Sequence, residues 1–167
     1  MRKMRYAMSK AVTPRPSLPI DLDHPMIVDG WTLLPDDQQI PGRMTGMWTY
    51  DPDSLEAHLE PEQIKDPCYL FGTTIEERSA NTGVGRVAMI NAWVTNPDLY
   101  PEDWKDGRWY ICWGDKYLGR DKGIYVRSAR WHGGRVYAHW HYVIRLFDAK
   151  NPSLRATQRP VSPILSP

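Results

Sequence analysis

Fifteen prolines in 167 residues constrain this chain more than any other feature. Proline fixes φ and removes a backbone donor, so it interrupts helices and central strands alike. A helical protein is therefore disfavoured. The prolines also cluster. Pro14, Pro16, Pro19 and Pro25 punctuate the N-terminal stretch, and Pro152, Pro160, Pro163 and Pro167 the C-terminal one. Such stretches favour extended backbone without internal hydrogen bonds. The expected organisation is an N-terminal arm over 1–25, one β-rich domain over 26–150 and a C-terminal arm over 151–167.

Between the arms, turn signals and short apolar runs predict an antiparallel β-sandwich or barrel of about seven strands with one short helix. Trp31–Leu34, Gly46–Tyr50 and Cys68–Thr74 read as strands. The segment 51–65 reads as the helix, with Asp51 or Asp53 as its cap and Pro52 in its first turn. Arg86–Thr95 is apolar at nearly every position, which predicts a central strand covered on both faces. A helical turn is expected at Pro101–Trp104. Arg108–Trp113 reads as a strand with Trp109, Ile111 and Trp113 on one face.

The sharpest local signal is His132-Gly133-Gly134-Arg135 between two strand-like runs, 123–131 and 136–147. Two glycines tolerate the positive φ of a two-residue hairpin turn, and that turn fixes the register. Trp131 then faces Val136, Ala129 faces Ala138, Arg127 faces Trp140 and Tyr125 faces Tyr142. This first face is aromatic and reads as the core side, with Arg127 lying on Trp140. The second face pairs Arg130 with Tyr137, Ser128 with His139 and Val126 with His141, with Arg145 further along. On register alone it reads as the polar outer face of a half-exposed hairpin.

Candidate binding residues are therefore Arg127, Arg130, Tyr137, Trp140 and Arg145. His139 and His141, at i and i+2 on one strand face, are the acid–base candidates if the chain is an enzyme. A metal would need a third ligand that spacing does not supply, and no motif calls for a cofactor. Gly133 and the His139-Trp140-His141 triplet are similar to the opening of the first cupin motif. That motif requires a glutamate shortly afterwards, where this chain has Arg145, and no second motif follows, so the likeness is not extended to the chain. Gly83-Val84-Gly85-Arg86 precedes an apolar run without phosphate-loop context and reads as a turn.

The net charge of +1 conceals segregation. Residues 1–15 hold five bases and no acid, residues 21–66 eleven acids and two bases, and residues 105–150 ten bases and four acids. From Trp93 to Tyr142 there are twelve Trp or Tyr residues interleaved with Lys and Arg. That composition suits a protein interface, where Trp, Tyr and Arg carry the contact energy, or a stacking surface for single-stranded nucleic acid. The basic N-terminus has the composition of a transit peptide but is read as a retained arm. Cys68 and Cys112 form no pair pattern and read as free thiols in a reducing compartment or a virion, with a disulfide left open. No stretch is long and apolar enough for a membrane span.

Two functions follow as expectations. The first is a non-enzymatic structural subunit of a larger multi-protein assembly, a virion or similar. Its partners would be other protein subunits, contacted through the arms and an aromatic-rich surface. The alternative is an RNA- or nucleotide-binding protein, or a nuclease, using the face of Arg130, His139, His141 and Arg145.

Overall fold

Strand pairing builds this fold, between neighbours in the chain over residues 110–142 and between distant segments at the sheet's other edge. The computed structural model describes residues 18–24, 30–65 and 69–156. Its strands are β1 (Pro19–Asp21), β2 (Thr32–Leu33), β3 (Met47–Thr49), β4 (Leu55–His58), β5 (Leu70–Phe71), β6 (Tyr110–Leu118), β7 (Ile124–His132), β8 (Arg135–Tyr142), β9 (Leu146–Phe147) and β10 (Ser153–Ala156). Three helices, α1 (Pro61–Ile64), α2 (Gly72–Ser79) and α3 (Val87–Thr95), complete the regular structure with four 3₁₀ turns. The mainly β class expected from the prolines holds. Among the described residues no sheet closes on itself into a barrel. One six-stranded sheet runs β4-β10-β6-β7-β8 with β2 added to β6, and two ribbons, β1–β3 and β5–β9, lie apart from it.

The β7–β8 hairpin has the register that its turn dictates. Gly133 and Gly134 take φ of +56° and +83°, and every expected pair from Trp131–Val136 to Tyr125–Tyr142 is present. β6 joins β7 through Tyr110–Ala129 and Ile111–Ser128, with a bulge between Cys112 and Lys116. Side chains alternate across the sheet, so two cores form. Tyr110, Cys112, Ala129, Val136 and Leu154 enter one, together with Met89, Ile90 and Trp93 of α3 and Trp48 of β3. Ile111, Trp113 and Val126 enter the other, together with Ile75 of α2 and Phe147 of β9.

Several segments depart from the sequence expectation. Residues 87–95 form a helix, not a strand. Val87, Ala88, Met89, Ile90 and Trp93 are all buried, and a short run buried on most sides loses the periodicity that separates helix from strand. Of the expected helix over 51–65, only Pro52–Ser54 (3₁₀) and α1 are helical. Leu55–His58 is instead drawn into the sheet edge by antiparallel pairing with β10, from Leu55–Ala156 to His58–Ser153. Among the described residues of the expected strand over 68–74, Leu70–Phe71 is a strand and α2 begins at Gly72. The stretches 18–24 and 151–156, given to the arms by composition, belong to the folded domain. Leu22 and Leu154 are fully buried, and β10 lies between β4 and β6. The remainder of both arms, and Cys68, fall outside the described residues. Cys112 is buried, and loss of hydration raises its thiol pKa well above the ordinary value.

At the β6 bulge, Asp115 ties sheet to helix. Its buried carboxylate accepts from Arg86 Nε at 2.9 Å, from Arg43 Nη1 at 3.2 Å and from the Val87 backbone N–H at 2.7 Å. Asp115 thus caps α3 from another element and neutralises Arg86, which is 2% exposed. Arg86 also donates to the Met44 carbonyl at 2.6 Å.

Candidate functional site

The second face of the hairpin is neither flat nor uniformly solvated, contrary to the reading from register alone. Ser128 and His141 are 0% and 3% exposed. What covers them comes from distant sequence: β9 pairs with β5, and Phe147 packs into the second core with Trp113 and Val126. The His141 ring lies 6.0 Å from Phe147 and 5.6 Å from Trp109. The face is therefore closed at its His141 end. Towards the turn, Tyr137, His139 and Arg135 remain exposed.

At the closed end the hydrogen bonds assign the histidine tautomer. Arg145 Nη1 lies 2.6 Å from His141 Nδ1. A guanidinium only donates, so Nδ1 accepts and the ring proton sits on Nε2. Nε2 then donates to Ser128 Oγ at 2.7 Å, and the Ser128 hydroxyl donates to the His139 carbonyl at 3.3 Å. Burial, the Arg145 charge and His139 together push the His141 pKa down to about 3. The chain of donors runs away from a nucleophile: His141 gives a proton to Ser128 and has no free lone pair with which to take one. A Ser128–His141 nucleophile pair therefore lacks the polarity it needs.

At the open end the arrangement is one of cations over rings. One step beyond the Tyr110–Ala129 pair, the Arg130 guanidinium lies 4.5 Å from the Trp109 ring. His139 sits 5.5 Å from the same ring, and Arg135 lies 5.8 Å from Tyr137. Trp109 was placed correctly with Ile111 and Trp113 by alternation. Its role as the centre of the His139 face was not, because only the β6–β7 register reveals it. Of the candidate binding residues, Arg130, Tyr137 and Arg145 share this side. Arg127 and Trp140 stack at 5.0 Å on the opposite face, where Trp140 also stacks on Trp31 at 4.4 Å.

The charge blocks resolve unevenly. Acids of the middle segment pair with Arg43, Arg78, Arg86 and Arg155. Among the described residues, no ion pair to a carboxylate engages Arg127, Arg130, Arg135 or Arg145. The Nε atoms of Arg127 and Arg130 are buried without a hydrogen-bond partner.

Two further surfaces were not foreseen. A cleft of about 480 Å³ lies beside the first core, with Asp53, Asp98, Glu102 and Asp103 among the described residues of its wall. The β5–β9 ribbon turns Leu70 and Phe147 inward and sets Phe71 opposite Leu146 on its outer side. Phe71 and Leu146 are 57% and 46% exposed, and neighbouring Tyr69 and Ile144 are 55% and 56% exposed. No described helix is long and apolar enough to cross a membrane. Comparison with family models, with curated proteins and with solved structures finds no match to this chain.

Proposed function

We propose that the chain is a non-enzymatic structural subunit of a multi-protein assembly, and that copies of the chain meet through the outer side of the β5–β9 ribbon. The observation that supports this reading is the exposed group Tyr69, Phe71, Ile144 and Leu146. Single exposed apolar side chains are ordinary, but a contiguous group of large ones marks a surface that binds. A two-fold contact places the same patch on both partners. Arg145, the cation in this stretch, reaches towards His141 and Asn151 instead. Two ribbons can therefore meet without opposing charges. The donor polarity at His141 supports the non-enzymatic half of the proposal.

Sedimentation velocity tests it. The purified chain is expected to sediment as a concentration-dependent oligomer, and Phe71→Ser with Leu146→Ser is expected to shift it to monomer without loss of folding. A wild-type chain that stays monomeric at every concentration, indistinguishable from the double variant, overturns the reading.

A further inference from the structure

The open end of the hairpin face presents a second surface, separate from the ribbon and different in chemistry. We infer that Arg130, Tyr137, His139 and Trp109, with Arg135 at the margin, form a binding platform for single-stranded nucleic acid. The inference starts from charge. These arginines lack carboxylate partners among the described residues, although the same chain satisfies Arg43, Arg78, Arg86 and Arg155 with acids. A guanidinium held over a ring keeps its outer N–H groups available and directed, which suits a phosphate oxygen. The Arg130–Trp109 separation of 4.5 Å and the Arg135–Tyr137 separation of 5.8 Å have this form.

The rings decide which polyanion fits. Tyr137 is 41% exposed and His139 is exposed two residues further along the same strand face. His132 adds a ring 6.1 Å from Tyr137 at the turn. Cations that alternate with accessible ring faces on an antiparallel sheet match a strand whose bases are unpaired and free to stack. A duplex hides its base faces, and an acidic peptide has none to offer. Both His141 ring nitrogens are already engaged by Arg145 and Ser128, so the platform is proposed as a binding surface.

The test is fluorescence anisotropy of a labelled oligothymidylate of about 12 nucleotides, within the span of roughly 4–16 typical of such sheets. The titration uses the Phe71→Ser, Leu146→Ser protein, so that the outcome is independent of self-association. Saturable binding is expected. Tyr137→Ala should weaken it about tenfold or more, the loss of one stacked base. Arg135→Gln should reduce the slope of log affinity against log salt by about 0.7, one phosphate contact. Tyr137 and Arg135 are exposed, so both variants should fold as the parent does. Absence of binding at low salt overturns the inference. So does binding unchanged by Tyr137→Ala, or an equal affinity for heparin or for duplex of the same length.

Discussion

Asp115→Ala is expected to destabilise the domain by about 3–5 kcal/mol, the cost typical of removing one partner from a buried ion pair. Chemical denaturation followed by far-ultraviolet circular dichroism would measure it. Three effects combine. Arg86, 2% exposed, keeps its charge and loses the carboxylate 2.9 Å from its Nε. The first turn of α3 loses the acceptor for the Val87 N–H. Arg43 loses a ligand that fastens the 36–43 loop to the sheet. A domain of this size should melt roughly 10 °C lower as a result. Replacing Arg86 by Met together with Asp115→Ala should recover part of the loss, because no unpaired charge is then buried. If Asp115→Ala alone costs less than about 1 kcal/mol, the ion network does not hold α3 on the sheet.

The second large effect is a dependence on acid. His141 has its folded pKa depressed to about 3 from an ordinary 6.5. The unfolded chain therefore binds a proton at this position between those values, while the folded chain does not. Stability consequently falls as pH drops from about 6.5 towards 3, with His141 contributing a slope approaching 1.4 kcal/mol per pH unit. The cause is local. A protonated ring would place a second donor against Arg145 at 2.6 Å, beside His139 and enclosed by Trp109 and Phe147. His141→Leu is expected to be less stable at neutral pH, since Ser128 and Arg145 lose their partner, yet to show a shallower loss between pH 6 and 3. The difference in slope between the two proteins isolates His141 from the carboxylates. Equal slopes would mean that the buried ring is not the source.

What the sequence made legible divides along the range of the interactions. The hairpin was readable to the last pair because two adjacent glycines set its register and nothing remote competes with them. The placement of Trp109, Ile111 and Trp113 on one side needed only strand alternation, and the stacking of Arg127 on Trp140 followed from the pair register. Residues 87–95 were misread because their helix starts on a carboxylate 28 positions away, at Asp115, and because burial on most sides erased the amphipathic pattern. Leu55–His58 was misread because local composition favours a helix, while β10, about a hundred residues later, offers a strand edge.

The same distinction governs the site. The residues of the second face were named correctly, but not their division into a closed and an open end. That division depends on β5 and β9 bringing Phe147 over His141, a contact with no local signature. The exposed outer side of the ribbon arises from the same pairing, so the surface on which the proposed function rests could not be read before the structure. Composition suggests assembly through the arms, whereas the proposed contact lies on the ribbon.

The most direct measurement of that claim is hydrogen–deuterium exchange of the purified chain at low and high concentration. Self-association through the ribbon predicts that amides of residues 69–72 and 144–147 gain protection as concentration rises. In the Phe71→Ser, Leu146→Ser protein these amides should exchange at one rate throughout. Protection that does not change with concentration, or that appears at the β8 edge while the ribbon is unaffected, would contradict it.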